Sequence, residues 1–124
     1  MLWTANKEQI MDHLFGSGAL YYDWWVDSYD WFEDEMNAER EGRRPRGKIW
    51  VEILDPDDEG SDDEQKTIRK EFTISDVKKV VDEITKRDDH LGKQIKRAVT
   101  DDDFDSHDAD VVLQWLVFGE VVYG

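Results

Sequence analysis

Cysteine is absent from this 124-residue chain, which excludes a disulfide framework and a Cys-ligated metal site. Basic residues are scarce: 16 Lys and Arg stand against 31 Asp and Glu, a net charge of −15. That balance disfavours binding to a polyanion by broad charge attraction. No apolar run approaches the ~20 residues that a membrane-spanning helix needs. The first residues, Met1 to Glu8, lack a basic region followed by an apolar core, so no signal peptide is expected. The expectation is a soluble, cytoplasmic protein with no membrane contact.

What the chain does hold is aromatic: 6 Trp, 5 Phe and 4 Tyr. High net charge with low hydrophobicity is the signature of disorder, but disordered chains lack such side chains. Each aromatic buries about 150–250 Å² when packed. A folded core under a charged surface follows, in one domain over residues 1–124, with two mobile loops. Charge is uneven along it: before Arg40 the one base is Lys7, and after Arg97 there is none.

Local patterns give the elements. Ile10, Met11, Leu14 and Phe15 share one face of a 3.6-residue period, so a short helix is expected there, capped by Thr4 or Asn6 and stopped by a left-handed Gly16. In residues 20–27, Leu20, Tyr22, Trp24 and Val26 alternate with Tyr21, Asp23, Trp25 and Asp27. Period 2 with aromatic enrichment points to a strand, although a helix would also group Tyr21, Trp24, Trp25 and Phe32. Residues 33–40 suit a short helix, and the Gly and Pro of residues 41–47 a loop. Residues 48–54 and 67–72 form a hairpin around the acidic loop 55–64, whose like charges repel and stay solvated and mobile. Val77, Val80, Val81 and Ile84 mark a helix capped by Ser75; Leu91, Ile95, Ala98 and Val99 mark another. The last helix runs from about Ala109 to Phe118, with Asp108 and Asp110 at its positive end and Gly119 as its stop. It is apolar nearly all round, hence buried, Trp115 and Leu116 included. The fold class is α+β: a small antiparallel sheet of about three strands, packed by three to four helices in two layers, with the last helix across one face.

Chemical motifs are incomplete. Asp55, Asp57, Glu59 and Gly60 follow the opening spacing of an EF-hand, but Lys66 stands where the closing bidentate Glu belongs. His107 lies among Asp101, Asp102, Asp103, Asp105, Asp108 and Asp110, yet consecutive loop acids point in many directions, and capping explains them more simply. His13 and His90 stand alone in the sequence. Ser17 in Gly16-Ser17-Gly18 falls short of a nucleophile elbow, and there is no phosphate-binding glycine loop and no HExxH. No cofactor, metal or catalytic residue is expected. The basic run Arg40, Arg43, Arg44, Arg46 and Lys48 has no interleaved aromatics and suits a loop that neutralises neighbouring acids.

The aromatic stretch is the better functional candidate. If Leu20, Tyr22, Trp24 and Val26 face the core, then Tyr21, Trp25 and Tyr29 face the other side of the strand, beside Asp23 and Asp27. Exposed Trp and Tyr are favoured anchors for a protein partner. The candidate interface is Tyr21, Asp23, Trp25, Asp27 and Tyr29, with Asp101, Asp102 and Asp103. The partner expected is a protein, in the sharpest form a DNA-binding protein whose basic cleft accepts carboxylates in place of phosphates, with no direct binding of nucleic acid. The reading from a different class is a small enzyme or metal-dependent protein that uses clustered carboxylates.

Two stretches, Gly18-Ala19-Leu20-Tyr21-Tyr22-Asp23-Trp24-Trp25 and Asp108-Ala109-Asp110-Val111-Val112-Leu113-Gln114-Trp115-Leu116-Val117-Phe118-Gly119-Glu120-Val121-Val122-Tyr123-Gly124, together resemble small uncharacterised proteins encoded by actinobacteriophages and related mobile elements. That family has no established activity, so the resemblance carries over no catalytic residue. It implies a phage accessory protein that works inside a bacterial cell by binding host or phage proteins.

Overall fold

A computed structural model describes residues 3–25, 42, 49–56 and 66–123. Helix α1 spans Lys7–Phe15. Asn6 caps it: its side chain accepts from the Gln9 N–H while Gln9 reaches back to the Asn6 N–H, a reciprocal capping box. Ile10, Met11, Leu14 and Phe15 are all buried, as their spacing predicts. Gly16 ends the helix with a right-handed φ of −82°, not the left-handed value expected. The left-handed residue is Gly18, at φ 96°.

Gly18 starts the largest departure from the sequence expectation. Residues 20–25 are not a strand. A 3-10 turn covers Ala19–Tyr21, and the N–H groups of Tyr21, Tyr22 and Trp25 bond back to the carbonyls of Gly18, Ala19 and Tyr22. These local bonds take up backbone groups that a ladder would need. Only the end of the segment joins the sheet, through one isolated bridge from Trp25 to Ile53 and a Leu54 N–H donated to the Trp24 carbonyl.

Among the described residues the sheet therefore has two strands, not three: β1, Ile49–Leu54, and β2, Thr67–Phe72. They are antiparallel, with Trp50 opposite Glu71 and Ile53 opposite Ile68. Val51, Ile53 and Phe72 are buried. On the other face the Arg69 guanidinium lies 4.0 Å from the Trp50 ring centre, a cation–π contact.

Helix α2 covers Ile74–Thr85. Its cap is Thr73 rather than the expected Ser75, because Thr73 and Asp76 form a capping box. Val77, Val81 and Ile84 are buried along one face. Helix α3 covers His90–Thr100, with Asp89 as its cap, and buries Ile95, Ala98 and Val99. Helix α4 covers Ser106–Phe118 and starts earlier than expected, since Asp105 and Asp108 form its capping box. Asp108 thus serves the helix start as expected, whereas Asp110 lies deeper and points into the core. Gly119 closes α4 in the left-handed region, φ 73°.

The last helix is the hub: it packs against α1, the 3-10 turn, α2, α3 and β2, around one hydrophobic core. Its burial is graded. Val111, Val112 and Leu113 are buried, whereas Trp115 and Leu116, expected inside, are only half-buried. The expectations for Asp27, Tyr29, a helix over 33–40, the basic run 40–48 and the acidic loop after Pro56 lie outside the described residues.

Candidate functional site

The sequence-predicted interface divides into three groups. Tyr21 and Asp23 sit on the 3-10 segment and are exposed, Tyr21 to 73%. Asp101, Asp102 and Asp103 form the exposed turn between α3 and α4. Trp25 is a correction: only 6% of it is exposed. The parity rule that put Trp25 outside and Trp24 inside applies to extended chain, and this segment is turned. Trp24 is the half-buried member of the pair.

Three contacts bring the first two groups to one end of the fold. The Tyr22 hydroxyl lies 3.3 Å from Ser106 Oγ. Gly18 lies between the Tyr21 ring and Ser106, where a Cβ would reach both at ordinary contact distance, 3.7 Å from Tyr21 Cδ2 and 3.8 Å from Ser106 Cβ. His13 Nε2, on α1, lies 3.0 Å from Asp102 Oδ1. His13 is therefore not isolated in the fold, and Asp102 is held in the left-handed region at φ 50°, a conformation that Asp tolerates better than most residues. Under this end Trp3 and His13 pack on Phe104, with ring centres 4.9 and 5.3 Å from it. The turn carrying the three acids is thus fixed to α1 through His13, while Trp3, before that helix, packs on Phe104 just after the turn.

Behind this face is a polar cluster that sequence reasoning missed. Asp110, 2% exposed, accepts at Oδ1 from both indole N–H groups, Trp24 at 2.8 Å and Trp25 at 2.7 Å. Its Oδ2 accepts from Gln114 Nε2 at 2.8 Å. Gln114, fully buried, also donates to the Tyr123 carbonyl, and its Oε1 accepts from the N–H groups of Val122 and Tyr123. The Tyr123 hydroxyl donates to the Leu54 carbonyl at 2.7 Å. Tyr22, Trp24 and Tyr123 stack in a column, with centre separations of 4.9 and 5.5 Å and planes within 7° of parallel. A signal for this existed: Asp110 and Gln114 stand four apart on a helix otherwise too apolar to leave them unpartnered.

The arrangement is built for positioning. Both oxygens of Asp110 are occupied by N–H donors, and Asp108 accepts from Gln94 Nε2 at 2.7 Å besides closing its capping box. Among the described residues no three His, Asp or Glu side chains gather as a metal-binding group, and no helix is long and apolar enough to cross a membrane. No protein-family model, curated protein or solved structure matches the chain.

Proposed function

We propose that this protein is a non-enzymatic binding module that engages a protein partner through the acidic end of the fold, with Tyr21 as its aromatic anchor and Asp23, Asp101, Asp102 and Asp103 around it. The observation that carries this reading is the seating of the exposed Tyr21 turn against Ser106, the first residue of α4, with the exposed acidic turn just before that helix held by His13 at Asp102. An aromatic ring that stands out of a rigid, singly charged surface is what a binding anchor requires. From residue 98 to residue 123 there are seven acids and no Lys or Arg, so the face meets a partner with a field of one sign. The resemblance to phage accessory proteins favours a host or phage protein as that partner, met in the bacterial cytoplasm. In its sharper form the acids stand in for phosphates on a DNA-binding protein. The enzyme reading has no comparable observation, since the buried carboxyls are engaged in caps and indole bonds.

The test is affinity capture from bacterial lysate with the wild type and with a Tyr21→Ala, Asp101→Asn, Asp103→Asn variant of unchanged melting temperature. A partner retained at low salt, released as salt rises and lost with the variant is the expected outcome. Capture that the variant does not weaken sinks the proposal. DNA mimicry requires in addition that the captured partner bind duplex DNA and release it when this protein is added.

A further inference from the structure

We infer that the corner between α2 and α3 is a binding groove for a phosphate-chain anion, that is, two or more linked phosphate groups. This inference is independent of the acidic end. The groove, of about 360 Å³, is lined by Thr85, Lys86, Arg87, Asp88, Gly92, Lys93 and Lys96. That volume lies within the range of small-ligand sites.

The charge around it is opposite to that of the whole molecule. Residues 66–97 hold ten bases and six acids in a chain of net charge −15. The ammonium groups of Lys86, Lys93 and Lys96 make no ion pair among the described residues. Lys93 and Lys96 lie three apart on α3, on one helix face; Lys86 closes α2 on the opposite side of the corner.

Two acids stand at this corner: Asp88 lines the groove, and Asp89 is already engaged. Asp89 caps α3 by accepting from the Gly92 N–H, and it takes two bonds from Arg87, at 2.6 and 3.0 Å. Arg87 is held from its other side by the Trp115 ring, 5.1 Å away. The corner itself is pinched shut behind the groove: a Cβ at Gly92 would come within 2.2 Å of the Arg87 carbonyl oxygen, so only glycine allows α3 to approach so closely.

Ligand class follows from the donors. The one guanidinium is committed to Asp89, so planar, bidentate recognition of a carboxylate is not on offer. What remains is the ammonium groups of three lysines against the single carboxylate of Asp88 around an open, polar cleft, a positive balance that suits a compact anion of several charges. No apolar wall is present to favour a hydrophobic ligand.

The experiment uses the full chain and sodium tripolyphosphate at about 0.15 M salt, the physiological ionic strength, followed by calorimetry and by amide chemical shifts. Saturable binding with shifts confined to the α2–α3 corner is expected. Lys93→Ala with Lys96→Ala lowers affinity about a hundredfold, taking tenfold per charged contact, with the melting temperature unchanged because both side chains are exposed. Lys70→Ala with Lys79→Ala, an equal loss of two charges outside the groove, leaves binding within about twofold if the groove rather than the general field is read. ATP serves as the second arm: equal affinity assigns the site to the phosphate chain itself, and tighter ATP binding assigns it to a nucleotide. Absence of saturable binding overturns the inference, as does an equal loss with Lys70→Ala and Lys79→Ala together.

Discussion

The indole N–H of Trp25 meets Oδ1 of Asp110 at 2.7 Å, across 85 residues of chain. A carboxylate inside an apolar helix is tolerated because that N–H and the one of Trp24 satisfy Oδ1 while Gln114 satisfies Oδ2. Asp110→Ala leaves three donors without an acceptor. At about 1–3 kcal/mol for each buried unsatisfied group, the variant should lose about 3 kcal/mol or more in urea denaturation. A loss below about 1 kcal/mol would mean the cluster hydrates freely.

The tryptophan pair should divide in the sense opposite to the one the alternating pattern suggests. Trp25→Ala removes a buried ring and should cost about 3–5 kcal/mol. Trp24→Ala removes a half-buried ring and two stacked neighbours, each worth about 0.5–1.5 kcal/mol, so its melting temperature should fall less. Equal melting temperatures would contradict the difference in burial.

Gln114 holds the segment after α4 through backbone groups. Gln114→Leu preserves approximate bulk but removes all four of its bonds. Amide exchange at Val122 and Tyr123 should accelerate sharply, while exchange at Val77 and Val81 in α2 changes little. Unchanged protection at Val122 would show that the Tyr123–Leu54 bond suffices to hold the segment.

Two helix caps set an acid limit. Hydrogen bonds from the Thr73 backbone and side chain hold Asp76 below its ordinary value of 3.8. Asp89 is lowered from the same value first by its bond with Arg87 and then by the Gly92 N–H. A carboxyl whose folded value lies below its unfolded one contributes stability in full above the unfolded value, and loses it as pH falls through the folded one. The starts of α2 and α3 should therefore be intact at neutral pH and should loosen below 3.8. Asp76→Asn should remove the pH dependence at α2 and leave that of α3. Amide shifts of Asp76 and Gly92 followed through an acid titration decide this; a Gly92 shift indifferent to acid would contradict the role of Asp89.

Strands β1 and β2 were legible because alternation there coincides with extended backbone, and Val51, Ile53 and Phe72 lie where it puts them. The faces of α1, α2 and α3 were legible by the same logic at helical period. Helices α2 and α4 start two or three residues before the positions that Ser75 and Asp108 suggest, because the reciprocal boxes Thr73–Asp76 and Asp105–Asp108 set the caps. The 3-10 segment was not legible: Leu20, Tyr22 and Trp24 alternate by composition, and only Gly18 hints at a turn. Of the candidate interface, Tyr21, Asp23 and the three acids hold as exposed positions, and Trp25 does not. Its partner, Asp110, is too remote in sequence for any local pattern to reveal.

One turn of α4, from Asp110 to Gln114, grips residues 24–25 on one side and 122–123 on the other. Residues 24–25 are thereby fastened to Asp110 and residues 122–123 to Gln114, and those two side chains bond each other. Neither segment can come undone without disturbing a side chain tied to the one that holds the other. They form one cooperative opening unit, so a ligand that orders the aromatic turn beside Tyr21 also slows exchange at the far end of the chain, without touching it.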